Sequence, residues 1–364
     1  MHKIQYPEHE ALKKFEGDYV ELFQDLQVNF DGLPDCAKLN WSLENFLVSD
    51  FKTLRDKALT STKTGCKKEV IESVFPYDEL QGKLSQFFMK YGTQMNLSAC
   101  HYCGIEYVNV YEDMGDYKDG LELVNKADEF ELQNIVGIGE VTASKIVDAR
   151  PITAFEKLDS IIGLSKTVKQ QIKDYQNRNK LYKNHFTLDH LLPKGEYPHF
   201  ALSLYNLIPC CYTCNSKTKG RKSLGDKENL TLLSPSSAAF DVDAKIRLKP
   251  IYEGEITENI IAVEDFSIRF DYNGQASIYE DYVKAFKLHG RYPFHKDKAL
   301  DLILKSKKYS EAQLTELAKH TGIAKDQIRA DIFGKDLFSL EGRHQPFAKL
   351  RLDIARALKI EGVV

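Results

Sequence analysis

The stretch Phe186-Thr-Leu-Asp-His-Leu-Leu-Pro-Lys194, resumed at Tyr205 as Tyr-Asn-Leu-Ile-Pro-Cys-Cys-Tyr-Thr-Cys-Asn-Ser-Lys-Thr-Lys219, carries most of what this chain discloses. Phe186–Leu191 and Tyr205–Pro209 have the composition of two strands, and a Lys-rich helix is expected to start near Cys214. Between them they hold an acid, Asp189, an imidazole, His190, and two amides, Asn206 and Asn215. Asp189 offers a hard anionic oxygen suited to Mg²⁺ or Mn²⁺. Neutral His190 can take a proton near physiological pH. Adjacent residues on a regular strand face opposite sides, so Asp189 and His190 on such a strand would point apart.

Five of the seven cysteines cluster, as Cys100-His-Tyr-Cys103 and Cys210-Cys211-Tyr-Thr-Cys214. Two thiolates three positions apart on a tight turn reach one ion, and two such turns complete a tetrahedron. The expected zinc ligands are Cys100, Cys103, Cys211 and Cys214; Cys210 is left over. The competing readings are coincidence and a redox pair. Cys36 and Cys66 are isolated and read as buried apolar residues. The knuckles are far apart in sequence, with 107 residues between Cys103 and Cys211.

Read together, these segments resemble the HNH endonucleases: Asp-His, a spacer, Asn-Leu, then Cys-x-x-Cys-Asn, framed by four cysteines as in zinc-containing members. The resemblance covers roughly 185–222 and the knuckle at 100–103. It implies a ββα-metal module that hydrolyses phosphodiester bonds to 5′-phosphate and 3′-hydroxyl ends. It further implies that Asp189 and Asn215 hold one divalent ion, that His190 acts as base, and that Asn206 fixes the loop presenting the histidine. An asparagine as the third letter favours an exchangeable Mg²⁺-like ion. Tyr197-Pro-His-Phe-Ala-Leu and Gly290-Arg-Tyr are weaker echoes of larger HNH proteins. His185 and His199 read as structural or phosphate-side residues. Lys217, Lys219, Arg221 and Lys222 form a charge run, ordinarily a solvated face, that is expected to contact phosphate because it adjoins the metal site.

The gap between the knuckles holds Leu132-Gln-Asn-Ile-Val-Gly-Ile-Gly-Glu-Val-Thr-Ala-Ser-Lys-Ile-Val-Asp-Ala-Arg150, which resembles a helix-hairpin-helix. Gly137 and Gly139 allow a tight turn and close approach of backbone N–H groups to a phosphate, with Lys145 nearby. Phe155–Ile172 reads as a degraded second copy in which Ser165 replaces the second glycine. The resemblance implies sequence-independent DNA binding; the plainer alternative is a helical hairpin that binds protein.

The remaining chain bounds this reading. Its 364 residues suit two or three domains. With 43% hydrophobic and 28% charged residues it is neither disordered nor fibrous. The net charge of -3 hides a stretch from Ser165 to Lys222 with eleven Lys/Arg against three Asp/Glu. The N-terminus lacks an apolar signal core, and the longest uncharged run, Tyr197–Ser216, is broken by prolines and polar residues. A cytoplasmic location is therefore expected. Residues 1–99 read as helical, with Trp41 as core. A strand is expected in 104–110. A hairpin is expected with strands at Phe266–Phe270 and Ala276–Tyr279 around Asn273-Gly274, then helices to the end.

The expected architecture is α+β. It comprises a helical region 1–99, a nuclease module 100–222 with an insertion at 128–178, and a mainly helical region 223–364. The expected function is a metal-dependent DNA endonuclease; the alternative is a zinc-stabilised nucleic-acid-binding protein without turnover. By analogy with Septu-type anti-phage defence, where an HNH nuclease works beside an ATPase, a regulatory partner is expected. Any ATPase must be another chain, because Gly-Ile-Gly-Glu lacks the Gly-Lys-Ser/Thr ending of a phosphate-binding loop.

Overall fold

Phe15 and Tyr19, four residues apart, are fully buried, so the helix His9–Glu21 turns one stripe inward, and buried Phe23 continues the spacing just past its end. The helix Tyr77–Lys90 does the same with Leu84, Phe87 and Phe88. Ser42 and Asn45 form a reciprocal capping box that starts Leu43–Val48. Trp41 lies half-buried against Phe46, with ring centres 5.2 Å apart. The computed structural model describes residues 1–61, 66–113, 117–175, 181–220, 222–253, 260–274 and 276–363. The fold is mixed α+β, mostly helical with small sheets.

The chain divides into two compact units, one formed by Met1–Val110 with Asn184–Val364 and the other by Tyr111–Lys183. In the first, the stretches 1–99, 100–222 and 223–364 all contribute to one apolar core. The second has its own core and is wider than the 128–178 read from the sequence. Its boundaries coincide with β1 (Val110–Asp113) and β2 (Leu181–Asn184), which pair with each other. Residues 104–109 form no strand; Tyr107 makes an isolated bridge to Ala99.

Two more antiparallel pairs belong to the first unit: β3 (Thr187–His190) with β4 (Leu207–Cys210), and β5 (Ile246–Ile251) with β6 (Ser267–Tyr272). The expected hairpin around Asn273-Gly274 is corrected here. The partner of β6 is β5, and Ala276–Ala285 is a helix. Tyr279, Tyr282, Val283 and Phe286 recur at helical spacing and are buried, which overrides the short strand-like run. The closing helix Ala348–Ala357 buries the ion pair Lys349–Asp353 (2.8 Å), and Asp353 also accepts the Leu248 N–H. Cys36 and Cys66, expected as buried and separate, form a disulfide, and Cys36 is exposed. Isolation in sequence did not mean isolation in space. No helix among the described residues is long and apolar enough to cross a membrane.

Candidate functional site

The hairpin β3–β4 is in register with Thr187 opposite Cys210 and His190 opposite Leu207. The chain leaves β4 through Cys211 and enters a wide helix, Thr213–Lys219, closed by a Gly220 N–H to Asn215 carbonyl bond of 2.8 Å. That five-residue spacing is a π-type turn. Residues four apart share a helix face, and this face lies along β3. Asn215 Nδ2 donates to Thr187 Oγ1 at 3.0 Å, and Lys219 Nζ donates to Asp189 Oδ1 at 2.9 Å and to the His190 carbonyl at 3.1 Å.

The sulfurs of Cys100, Cys103, Cys211 and Cys214 all lie within 4.8 Å of one another and are buried. Thiolates about 2.3 Å from a tetrahedral zinc stand roughly 3.8 Å apart, and the Cys103 and Cys211 sulfurs are 3.9 Å apart. Backbone N–H groups of Ile105, Cys211 and Cys214 donate to Cys103, Cys100 and Cys211. Arg291 donates from Nη1 to Cys214 Sγ (3.3 Å) and from Nη2 to Cys103 Sγ (3.5 Å), and pairs with Glu106 at 2.6 Å. Burial pushes the Cys100 and Cys214 thiols up. The neighbouring thiols and Arg291 pull Cys103 down, and metal binding requires the ligating sulfurs to be deprotonated. This group can hold a metal ion such as zinc. The first knuckle is anchored from the C-terminal stretch: Tyr282 and Tyr292 hydroxyls donate to the Tyr102 and Cys103 carbonyls.

Asp189 has both oxygens engaged. Oδ1 accepts from Lys219 and Oδ2 accepts from the Tyr102 hydroxyl at 2.7 Å. Burial raises its pKa, opposed by Lys219 and Tyr102. His190 faces other partners, as alternation along a strand requires. Its Nε2 lies 2.9 Å from the Ala201 carbonyl, and its ring meets the Tyr77 edge at 4.4 Å. Donation from Nε2 leaves Nδ1 as the acceptor. Burial, with Lys194 and Lys219 adding, pushes this imidazole down to about 4, so it is neutral at physiological pH.

A cavity of about 770 Å³ wraps the end of β3 and is lined by Asp189, His190, Asn215 and Lys219 together with Tyr77 and Lys194. This answers the geometric difficulty of two adjacent strand residues: the cavity reaches both faces. Asn206 does not line it. Its Oδ1 accepts the Leu192 N–H at 2.7 Å, and its Nδ2 donates to the Leu192 and Phe200 carbonyls at 3.0 and 2.9 Å. It thereby ties down the loop that follows His190. Chemically, the cavity combines a neutral imidazole, a side-chain amide and a carboxyl group paired with the Lys219 ammonium.

The charge run separates. Lys217 and Lys222 are exposed, and Lys217 lies 5.9 Å over the Tyr212 ring. Lys219, expected with the rest of the run to contact phosphate, is buried against Asp189, because its helix position faces β3. Arg221 lies outside the described residues. His199 is buried and stacks on Phe46, and the exposed His185 ring contacts Asn109.

Gly137, Gly139 and Lys145 belong to the second unit. Asp128 and Glu131 form a capping box before Glu129–Leu132, and Gly139 precedes the helix Glu140–Asp148. Gly137 takes φ +98, and an added Cβ would meet Val168 at 2.8 Å. Gly139 has ordinary extended backbone with open space around it. In the second copy Gly163 keeps the matching positive φ of +106, and Ser165 caps Lys166–Lys173 through its side chain. The serine therefore stands where glycine is dispensable. Lys145 is exposed and its Nζ donates to the Ile162 carbonyl.

No family model, curated protein or solved structure matches this chain. Sequence reasoning had not singled out Tyr102, Tyr77, or the position of Arg291 on the cysteine sulfurs. Tyr102 sits inside the first Cys-x-x-Cys, and Arg291 in the Gly290-Arg-Tyr echo, so a signal existed for both.

Proposed function

We propose that this chain is a metal-dependent DNA endonuclease of the HNH type, with β3, β4 and the helix Thr213–Lys219 as its ββα-metal module. One observation carries the reading: Asp189 and His190 from β3, and Asn215 from the helix after β4, line one cavity beside a four-cysteine group. Asp189 and Asn215 would hold Mg²⁺ or Mn²⁺, which when bound neutralises charge on the scissile phosphate and the departing 3′ oxygen. His190 takes the proton of the attacking water at Nδ1. The Ala201 carbonyl holds the ring in the required tautomer and stabilises the charge that develops on it. Asn206 keeps the loop after His190 in place.

The hairpins of the second unit would grip the duplex backbone through N–H groups at their helix starts, independent of sequence. Anti-phage defence beside a separate regulatory ATPase is one setting for such an activity, by analogy alone; restriction, mobile elements and repair are others. The test is incubation of the purified, zinc-loaded chain with supercoiled plasmid and Mg²⁺ or Mn²⁺. Nicked or linear products with 5′-phosphate ends are expected.

A second reading is a zinc-stabilised nucleic-acid-binding protein without turnover. It is favoured by the engagement of both Asp189 oxygens within the protein. Its signature is plasmid that is retarded on a gel yet intact at every metal concentration.

A further inference from the structure

Lys219 stands in the position a metal ion would need. Its Nζ is 2.9 Å from Asp189 Oδ1, with the two side chains 2% and 4% exposed, and the Tyr102 hydroxyl covers Oδ2. A divalent ion on a carboxylate sits about 2.0–2.6 Å from the oxygen. An ammonium and such an ion on the same oxygen would be like charges within a few ångströms, in a buried setting where screening is weak. Each oxygen already accepts one of these donors, so a cation on Oδ1 would share that oxygen with the ammonium.

We infer that Lys219 is a built-in counter-cation that holds Asp189 in a metal-poor resting state and must withdraw for a divalent ion to bind. The inference rests on the reading of Asp189 as a metal ligand. Lys219 lines the cavity itself, so the side chain has somewhere to go. A phosphodiester entering that cavity offers the ammonium a second anion. Substrate entry then draws Lys219 from carboxylate to phosphate and clears the position on Asp189. Divalent ion and DNA consequently bind with positive coupling, each raising the affinity of the other.

The test is Mn²⁺ binding to the zinc-loaded full chain, followed by the loss of the free Mn²⁺ electron paramagnetic resonance signal. Wild type is compared with Lys219→Met, and Asp189→Asn identifies the site. Removing the like charge should tighten Asp189-dependent Mn²⁺ binding by at least about tenfold. A parallel measurement needs no substitution and so survives misfolding of the variant. A short phosphorothioate duplex, added to wild type, should tighten Mn²⁺ binding in the same direction. Equal Mn²⁺ affinity in wild type and a folded Lys219→Met, with no effect of the duplex, would overturn the counter-cation role and leave the metal site standing. Absence of any Asp189-dependent Mn²⁺ binding, in either protein and with the duplex present, would overturn both.

Discussion

The Lys219 ammonium and the Asp189 carboxylate, thirty residues apart in sequence, form a buried ion pair of 2.9 Å. Leaving one charge of such a pair without its partner costs about 3–5 kcal/mol. Asp189→Asn and Lys219→Met should each lower the unfolding free energy by about that amount, and the double variant should recover most of it. Chemical denaturation of the four proteins measures the coupling. Simply additive losses would show that the two charges do not depend on each other.

The four-cysteine group makes a separate claim about folding. Elemental analysis should find one zinc per chain, and Cys211→Ser should lose it. A structural zinc contributes about 10–16 kcal/mol in small metal-dependent domains, so chelation should cause a large drop in thermal stability. Arg291→Ala should release the zinc faster to a chelator, because two sulfurs lose a charged donor. Zinc-free protein with an unchanged melting temperature would contradict the assignment.

His199 links stability to pH. Burial pushes its imidazole, stacked on Phe46, down to about 4, and among the described residues Nε2 meets no hydrogen-bond partner. The unfolded chain binds a proton near pH 6.5 that the native state refuses until about pH 4. The stabilisation is therefore full above pH 6.5 and is lost as pH falls through that window, by up to about 1.4 kcal/mol per pH unit for the one group. His199→Phe should flatten the slope between pH 6.5 and 4 in urea denaturation. An unchanged slope would mean that His199 does not titrate as a buried neutral group.

In the second unit, two glycines of one motif should respond differently. Gly137→Ala forces a side chain into positive φ and against Val168, and should cost about 1–3 kcal/mol. Gly139→Ala meets open space at ordinary extended backbone and should cost well under that, limited to a weaker helix cap. Thermal denaturation of the two variants makes the comparison; equal losses would contradict the turn geometry.

Local sequence gave access to the parts that depend on local spacing. The Cys-x-x-Cys pairs, the strands containing Asp189 and Leu207, and the helix that starts next to Cys214 follow from neighbours in the chain. What was missed comes from distant segments. Arg291 reaches the Cys103 sulfur from 188 residues away and that of Cys214 from 77, and β6 pairs with β5 across a long connection. The pairing of Lys219 with Asp189 was not legible either, because it depends on the helix phase that turns this lysine toward β3. Ser165 was counted as a defect because the motif lists two glycines, while only the positive-φ position requires one.

The proposed chemistry turns on the imidazole of His190. The direct measurement is single-turnover cleavage of a defined duplex at saturating Mn²⁺, with zinc content and DNA affinity determined on the same samples. The account predicts that His190→Ala retains zinc and duplex binding while its cleavage rate falls by roughly 10²–10⁴-fold, the range supplied by a positioned proton acceptor. A variant that cleaves at the wild-type rate would contradict it.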